Sequence, residues 1–218
     1  LKIINSINLR NISFKYSEAQ KYILDNLNLN IKKSDKVVIL GKTGSGKTTL
    51  LQILMGIITT AQGTVKINSL NLNEKSVPAW LSKITYAPQN PYLFNDSIVA
   101  NITFKTFDHL KDFEKKRFNQ VIKDCLIDEF YNLDDIISKK IGEHGSKLSA
   151  GQKQRVNLAR ALFKVSDVIF LDEPTSNLDE NTEKILLENI YRRYIDRILI
   201  VSTHRKEALN YSNLTVNL

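Results

Sequence analysis

Three short, fully apolar runs punctuate the chain, at Val37–Leu40, Val168–Leu171 and Ile198–Val201. A strand that is buried on both faces has this continuous apolar pattern, whereas a half-buried strand alternates between apolar and polar residues. Helical patterns separate the runs, which predicts a parallel sheet covered by helices on both faces. Ligands bind such sheets at the carboxyl ends of the strands, so the residues that follow the three runs are candidates for chemistry.

A second set of segments alternates between apolar and polar positions. Residues 7–16 do so with a slip in phase between Leu9 and Ile12, which predicts an antiparallel strand with a bulge or a break. We therefore expect a small antiparallel β-subdomain in addition to the parallel core. Further short strands are predicted at 23–31, 63–67, 70–72 and 83–87.

From about residue 91 to residue 157 the pattern becomes helical. Four apolar residues recur there at i, i+3, i+4 and i+7, namely Phe118, Val121, Ile122 and Cys125. Ser149 and Gln152 fit a capping box for a helix that runs to about Phe163. Residues 1–218 thus read as one compact unit into which a helical segment is inserted.

Composition and charge limit the class of protein more than they select a function. The 218 residues are 42% hydrophobic and 25% charged, which is typical of a globular chain. The net charge of +8 permits nucleic acid, an anionic membrane surface or nucleotide phosphates as partners, or simply a solvated lysine-rich surface. A single cysteine excludes an intrachain disulfide, and no apolar run approaches the ~20 residues of a membrane span.

The first apolar run leads into Gly41-Lys42-Thr43-Gly44-Ser45-Gly46-Lys47-Thr48-Thr49. This spacing, between a strand and a predicted helix over 50–55, is that of a phosphate-binding loop. Glycines let backbone N–H groups approach a triphosphate, and the helix adds free amides and the positive end of its dipole. Lys47 supplies a charge for the outer phosphates and Thr48 a hydroxyl for Mg²⁺. A flexible glycine–serine loop is the alternative, which the flanking strand and helix disfavour.

The other two apolar runs also end in polar groups. Asp172 and Glu173 follow the second run, and His204 follows the third after two hydroxyl residues. A hard carboxylate suits Mg²⁺, through water, and a neighbouring carboxylate can activate a water as a general base. Two carboxylates that merely cap a helix would give the same sequence. The parallel-sheet argument predicts that Gly41, Asp172, Glu173 and His204 converge on one edge.

Further motifs make the pattern much more specific. Leu148-Ser149-Ala150-Gly151-Gln152, followed by Lys153-Gln154-Arg155, resembles the signature motif of ABC transporters. Residues 168–174 are similar to the Walker B segment of that family, and 176–179 to its D-loop. The chain therefore resembles an ABC transporter nucleotide-binding domain over nearly its whole length. The resemblance implies an α/β fold: a P-loop NTPase core with a parallel sheet, a small antiparallel β-subdomain and an inserted helical subdomain at about 91–157.

The resemblance also implies ATP and Mg²⁺ as cofactors and a role for each site residue. Tyr16 resembles the aromatic residue that stacks on adenine, Gln89 the glutamine that reaches the metal or the attacking water, and His204 the histidine that donates to the γ-phosphate. A surface tyrosine and a loop glutamine are the alternatives for the first two. The expected catalytic residues are Lys47, Gln89, Glu173 and His204, and the expected metal residues are Thr48, Gln89 and Asp172. The expected ATP-binding residues are Tyr16, Gly41, Lys42, Thr43, Gly44, Ser45, Gly46, Lys47, Thr48, Thr49, Ser149, Gly151, Gln152 and Asp179.

In the family that the chain resembles, the signature residues close over ATP held by a second domain. Ser149 and Gly151 offer a hydroxyl and N–H groups at a helix N-terminus, which form a second anion site. We therefore expect a head-to-tail dimer that holds two ATP molecules, with Asp179 coupling the two sites and weak ATPase activity in the monomer. Ala150 stands where the family usually has glycine, and its small methyl group should leave function intact. Ser34 likewise replaces a usual turn glycine.

Two loops narrow the resemblance to exporters. Residues 88–102 and 141–146 resemble the exporter pattern, similar to peptide and bacteriocin exporters, and Glu143 falls in the loop expected to touch the membrane domain. The implied partners are a second nucleotide-binding domain, identical or different, and a transmembrane domain on another chain or on a segment outside this sequence. Membrane association through that domain would place the chain at the cytoplasmic face of the membrane.

Two other functions remain to be compared with export. The basic charge permits a soluble ABC ATPase that acts on nucleic acid or ribosomes, but such proteins usually carry a tandem cassette or a long coiled-coil insertion. The sequence between the phosphate loop and the signature holds neither, so no nucleic-acid partner is expected. A nucleotide-binding regulator without catalysis is disfavoured because Lys47, Asp172, Glu173 and His204 are all present.

Overall fold

The computed structural model describes residues 3–17, 21–60 and 62–218, so residues 1, 2, 18–20 and 61 of the expected domain lie outside the described residues. The chain divides into two compact units. Unit 1 comprises the described residues up to Thr85, with Ser166–Asp172 and Tyr194–Leu218. Unit 2 comprises Tyr86–Val165 and Glu173–Arg193.

Most strands of the described part of the chain precede residue 88, and most helices follow it. The strands are β1 (Ser6–Phe14), β2 (Leu24–Lys32), β3 (Lys36–Leu40), β4 (Gln62–Ile67), β5 (Leu70–Asn71), β6 (Ile84–Ala87), β7 (Val168–Asp172), β8 (Ile198–Thr203) and β9 (Leu214–Asn217). The helices are α1 (Lys47–Met55), α2 (Val77–Leu81), α3 (Ile98–Thr103), α4 (Asp112–Asp124), α5 (Leu133–Ser138), α6 (Ala150–Phe163) and α7 (Glu180–Arg193). Short 3₁₀ turns cover Phe107–His109, Ile127–Glu129, Glu143–Gly145 and Glu207–Tyr211.

The antiparallel sheet of unit 1 has the strand order β2-β1-β4-β5. Its register pairs Ile7 with Ile31 on one side and with Ile67 on the other, so alternate β1 residues face the core. The register shifts between Leu9 and Ile12, which confirms the bulge that the sequence predicts. A side chain at Gly63 would meet the Arg10 carbonyl oxygen at 2.5 Å, so only glycine lets these two strands approach so closely.

The second sheet has the order β6-β7-β8-β3-β9, and its strands β7, β8, β3 and β9 run parallel. Helix α1 packs on β7 and β8. Leu40 lies beside Thr203, and Asp172 beside Ser202, so the three apolar strands end level with one another. This register confirms that the phosphate loop, Asp172 and His204 leave the same edge of the sheet. Glu173 is the next residue of the chain and begins the second segment of unit 2.

Two elements of unit 1 have no clear signal in the sequence. Strand β9 pairs with β3 at the edge of the sheet, and only Val216 of its four residues is buried. Helix α2 is only five residues long, but its Trp80 is fully buried. The indole Nε1 donates to the Leu54 carbonyl oxygen at 3.0 Å, and the ring packs edge-on against Phe170. Trp80 therefore fixes α2 against α1 and the central sheet.

Unit 2 is helical, as the sequence predicts for residues after 91. Helix α6 packs against α3 and α4, and α4 also contacts α7. The four residues of the predicted apolar stripe, Phe118, Val121, Ile122 and Cys125, are all buried. Burial raises the pKa of the Cys125 thiol well above its ordinary value, which keeps it protonated and suits a packing role. None of the helices in the described part of the chain is both long enough and apolar enough to span a bilayer.

Ser34 takes a backbone conformation that favours glycine. Its φ is 70°, in a turn closed by the Asp35 amide, which donates to the Lys32 carbonyl oxygen at 3.1 Å. The third residue of such a turn needs a positive φ, which explains why glycine is usual at this position. The carbonyl oxygen of Ser34 accepts a hydrogen bond from the buried Lys36 ammonium at 3.0 Å, which helps to hold the strained residue. Burial lowers the pKa of Lys36 below its ordinary value.

Candidate functional site

The phosphate-binding loop lies between β3 and α1, where the sequence predicts it. Lys47 is the first residue of α1, and Gly46 is its N-cap, with a left-handed φ of 101°. The Lys47 side chain is almost fully buried, and its Nζ donates to the carbonyl oxygens of Gly41 and Lys42 at 2.9 and 3.1 Å. The ammonium of Lys47, at the end of the loop, thus bonds to the first two residues of the loop and holds its two ends together.

The loop carries groups that would bind an anion. A side chain at Gly41 would lie 2.3 Å from Ser45 Oγ and 2.8 Å from the Leu218 carbonyl oxygen. Ser45 Oγ is buried and has no hydrogen-bond partner among the described residues. A buried hydroxyl usually has a hydrogen-bond partner, so an unpaired one at this place fits a ligand that accepts a hydrogen bond from it. Left-handed Gly44 and Gly46 give the loop the curvature that turns amides inward.

Thr48 and Asp172 meet at the carboxyl ends of the strands in unit 1. Thr48 Oγ1 donates to Asp172 Oδ2 at 2.8 Å, and Ser202 Oγ donates to Asp172 Oδ1. Asp172 is 2% exposed, whereas Thr48 is exposed. The two predicted metal residues are therefore within direct reach of each other. A hydroxyl and a carboxylate are oxygen ligands of the kind that Mg²⁺ prefers, directly or through water.

Tyr16 lies next to the first turn of α1. Its phenolic oxygen is 3.1 Å from Thr49 Oγ1, and its ring packs edge-on against Phe14 with centroids 5.0 Å apart. Almost half of the side chain, 46%, is exposed. The ring is thus held at one edge beside the phosphate loop while it remains accessible to a flat ligand.

His204 and Arg205 follow β8 in unit 1. The His204 side chain is exposed, and the Arg205 amide donates to Thr203 Oγ1 at 3.0 Å. His204 directly follows the end of β8, at the edge of the sheet from which the phosphate loop leaves β3. Its role as a donor to a terminal phosphate stays a prediction.

Glu173 and Gln89 meet within unit 2. Gln89 Nε2 donates to Glu173 Oε2 at 3.1 Å. Glu173 is 7% exposed and has a φ of 47°, in the left-handed region that glutamate rarely adopts. Strain of this kind costs about 1–3 kcal/mol and persists only where the surroundings hold the residue in place. Both residues were predicted to serve the reaction, but the sequence gives no sign of this backbone conformation.

The predicted signature residues form the first turn of α6 in unit 2. Ser149 Oγ accepts from the Gln152 amide at 3.2 Å, and the Ser149 amide donates to Gln152 Oε1 at 2.9 Å, which confirms the capping box. A side chain at Gly151 would lie 3.0 Å from the Asn177 carbonyl oxygen, so this glycine has a packing role that the motif does not reveal. Ala150 is exposed, and its methyl group therefore causes no crowding within the chain.

Asp179 caps helix α7. Its Oδ1 accepts a hydrogen bond from the Thr182 amide at 3.0 Å, and its carbonyl oxygen accepts one from the Glu183 amide. The bond from the Thr182 amide, followed by that from the Thr182 hydroxyl, holds the pKa of Asp179 below its ordinary value. The cap gives Asp179 a structural role in addition to the coupling role that the D-loop resemblance implies.

The cap predicts a pH-dependent stability difference between the parent chain and Asp179→Asn. Because the pKa of Asp179 is lowered by folding, its ionised form stabilises the chain above the unfolded value of about 3.9. This contribution is lost as the pH falls through the lowered folded pKa. We expect the parent to melt at a higher temperature than Asp179→Asn at pH 7 and the difference to disappear in acid. Asp25→Asn, at an exposed position of β2, is the control, and a difference that grows in acid would contradict the prediction.

The first turns of the four longest described helices differ in charge. Helices α4 and α7 carry acidic residues there, as do many helices, because carboxylates stabilise the N-terminal end of the dipole. Helices α1 and α6 carry none. These are the helices whose first turns hold the predicted phosphate loop and the predicted signature, so neither turn repels an incoming anion.

Comparisons with known proteins agree with this geometry. The sequence profile described as "ABC transporter" matches residues 24–176. Over 209 residues the chain is 34% identical to the chloroplastic ABC transporter B family member 29 of Arabidopsis thaliana. The aligned region covers 95% of this chain and 33% of that protein. Over 206 residues it is 38% identical to an export ATP-binding/permease protein of Rickettsia typhi, covering 94% of this chain and 35% of that protein.

A solved structure is similar as well. A bacterial Atm1-family ABC exporter with ATP bound superposes with a TM-score of 0.86 at 28% identity, covering all of this chain and 38% of that chain. The mixed α/β architecture predicted from the sequence is thus confirmed. The chain spans about a third of the length of the three proteins compared.

Proposed function

The chain belongs to the ABC transporter family and is an ATPase domain of that family, and we propose that it drives export across a membrane as one of two nucleotide-binding domains arranged head to tail. One observation carries the nucleotide part of this proposal. The loop 41–49 encloses the Lys47 ammonium and the unpaired Ser45 hydroxyl, while Thr48 contacts Asp172 at the end of the neighbouring strands.

These groups fit ATP and its metal ion. The loop amides, Ser45 and Lys47 supply donors and positive charge for the phosphates, and His204 supplies a further donor for the terminal one. Tyr16 offers an accessible ring face for adenine. Mg²⁺, held by Thr48 and Asp172, would neutralise charge on the phosphate oxygens. ABC ATPase domains in general use ATP with Mg²⁺, and the chemistry of these side chains supports both.

In unit 2 the proposed catalytic residues are Glu173 and Gln89. The Glu173 carboxylate accepts a proton from water as the water oxygen bonds to the γ-phosphorus and the bond to the bridging oxygen breaks, which leaves ADP and phosphate. Gln89 Nε2 donates to Glu173 Oε2 and so orients the carboxylate that would accept the proton of the attacking water. Gln89 was also expected to reach the metal, and that part stays a prediction.

The first turn of α6 supports the proposed second copy. Within one chain the side chain of Ser149 already caps the helix, yet the turn is exposed and free of acidic residues. An exposed helix N-terminus of this kind binds anions. We assign it to the ATP of the other copy, with Asp179, at the start of the next helix, as the coupling residue.

An exposed aromatic surface in unit 2 supports the proposed transmembrane partner. Tyr92, Phe94 and Phe104 are 57%, 43% and 66% exposed and pack edge-on in a row. The Arg160 guanidinium lies 5.6 and 5.4 Å from the centroids of Phe94 and Phe104, and burial lowers its pKa. Aromatic groups exposed together usually mark a protein contact. Glu143, joined to Asn95 at 3.1 Å, is the predicted polar member of this contact.

Export would place the chain at the cytoplasmic face of a membrane, attached through the transmembrane partner. The three proteins compared above are not named for peptides. A peptide cargo therefore stays a prediction that depends on loop residues 88–102 and 141–146.

The head-to-tail arrangement predicts that Ser149→Asp abolishes most hydrolysis without unfolding α6. Aspartate caps a helix as well as serine does. Its charge would face the phosphates of the other copy, and like charges in contact cost several kcal/mol. We expect ATPase activity per chain to rise with chain concentration in the parent and to fall by about tenfold or more in Ser149→Asp.

Asn132→Asp is the matched control, because Asn132 caps α5 through the same kind of bond to the amide three residues ahead. ATP affinity at low chain concentration and the melting temperature should be unchanged in both variants. Activity per chain that does not depend on concentration, together with full activity in Ser149→Asp, would exclude the shared site.

A further inference from the structure

Three polar side chains lie at three-residue intervals along helix α6. Gln154 and Asn157 are 4% and 3% exposed, and Arg160 is partly buried. Between them Val156, Leu158 and Ala159 are apolar and buried, and Arg155 is partly exposed. Buried polar groups destabilise a fold unless they are hydrogen-bonded, so each must have a specific partner. All three find partners in loops of unit 2 that precede or contain proposed catalytic residues.

Gln154 uses both ends of its carboxamide. Nε2 donates to the Glu173 carbonyl oxygen at 2.6 Å and to Ser176 Oγ at 3.0 Å, and Oε1 accepts from the Asn177 amide at 3.0 Å. Rotation of the amide by half a turn would place Oε1 against the Glu173 carbonyl oxygen and Nε2 against the Asn177 amide. Only one orientation satisfies these groups, so the side chain specifies the path of residues 173–177.

The same path gives Glu173 its unusual backbone. With a φ of 47°, Glu173 needs support from its surroundings, and the bond from Gln154 holds the peptide that follows it. That peptide sets the direction in which the Glu173 side chain leaves the backbone, and the carboxylate reaches Gln89. Gly151, one turn before Gln154, lies against the Asn177 carbonyl oxygen, so α6 meets this segment through its backbone as well.

The loop that carries Gln89 is held by hydrogen bonds from the same helix, α6. Asn157 Nδ2 donates to the Pro88 carbonyl oxygen at 2.9 Å, on one side of Gln89. Arg160 donates to the Tyr92 carbonyl oxygen at 2.8 Å, on the other side. The two partners in the Gln89–Glu173 bond therefore lie on separate loops that α6 fixes independently.

We propose that Gln154 is a positioning residue for hydrolysis: its carboxamide fixes the left-handed backbone at Glu173 and thereby holds the Glu173 carboxylate at Gln89. In this role Gln154 acts through Glu173 and not on the reacting atoms themselves. The proposal rests on the proposed function of Glu173 as the general base.

Gln154→Met tests the proposal because methionine keeps the length of the side chain and removes its hydrogen bonds. We expect kcat for ATP hydrolysis by the full chain to fall by about 10- to 100-fold, the usual effect of a small displacement of a catalytic group. ATP affinity at low chain concentration should change little, since it depends on the phosphate loop in unit 1, and KM should change less than kcat. Gln120→Met is the matched control: Gln120 lies on α4 of the same unit, and its Nε2 donates to Asp124 within its own helix.

Hydrogen–deuterium exchange supplies a readout that does not require activity. The Asn177 amide should exchange faster in Gln154→Met than in the parent or in Gln120→Met. Gln154→Glu keeps an acceptor for the Asn177 amide but cannot donate to the Glu173 carbonyl oxygen, and so it should protect Asn177 and still lose kcat. This second variant separates the donor function from packing and remains informative where Gln154→Met lowers the melting temperature.

Several results would overturn the proposal. One is a folded Gln154→Met variant with the kcat of Gln120→Met, another is an equal loss in kcat and in ATP affinity, and a third is unchanged exchange at Asn177. If the unaltered chain hydrolyses no ATP, the proposed function fails, whereas the exchange rate at Asn177 still decides whether Gln154 holds this segment.

Discussion

Replacement of Glu173 by glutamine should lower ATP hydrolysis by about 10²- to 10⁴-fold, the usual contribution of a general base. The amide has the shape of the carboxylate but cannot accept the proton of the attacking water. Its oxygen can still accept the bond from Gln89 Nε2, which joins Glu173 at 3.1 Å in the parent. Nucleotide binding should therefore survive, and the variant should accumulate with ATP bound and, if two copies share the sites, as a dimer. Steady-state turnover, ATP binding and light scattering measure the three effects.

The backbone of Glu173 makes glutamine a better choice than alanine or glycine. At a φ of 47°, glycine would relax strain and change the path of the chain, and alanine would remove the contact with Gln89. Glu188→Gln, on the exposed side of α7 in the same unit, controls for the loss of one negative charge. Near-parental turnover in Glu173→Gln would show that another group is the base.

How far the fold could be predicted depended on how each strand is buried. Strands β7 and β8 are buried along their whole length, and they are apolar without interruption up to Leu171 and Val201, so their signal is strong. Strand β9 lies at the edge of the sheet and buries only Val216, which leaves no pattern to detect. Helix α2 is shorter than two turns, and Trp80, the residue that anchors it, carries no periodicity.

How far the site could be predicted depended on whether its parts are contiguous. The phosphate loop is one stretch of chain, and its spacing alone predicts the positions of Lys47 and Thr48. The contact between Thr48 and Asp172 follows from the parallel-strand argument, because both residues lie at the carboxyl ends of strands. The role of Gln154 could not be predicted, since two of its three partners are backbone groups on another segment, and backbone groups leave no trace in a sequence.

The second large effect is expected at Lys47. Lys47→Met should weaken ATP binding by about 10- to 100-fold, because a hydrogen bond to a charged group is worth about 1.5–3 kcal/mol. Methionine retains the buried stem of the side chain but has no donor for a phosphate. Hydrolysis at saturating ATP should also fall, since the ammonium is expected to stabilise charge on the outer phosphates during transfer. Titration with a fluorescent ATP analogue, followed by turnover at saturating ATP, separates the two effects.

The contacts of Lys47 in the free chain raise one competing explanation, and the controls must exclude it. Its Nζ joins the carbonyl oxygens of Gly41 and Lys42, so methionine could weaken binding merely because the loop opens. Gly41 is half-buried and Lys42 is exposed, so we expect water to replace the lost donor at small cost. An opened loop would increase hydrogen exchange over residues 41–46, whereas a lost phosphate contact would leave exchange unchanged. Lys75→Ala, which removes an exposed lysine elsewhere in unit 1, controls for net charge, and unchanged ATP affinity in Lys47→Met would exclude the assigned role.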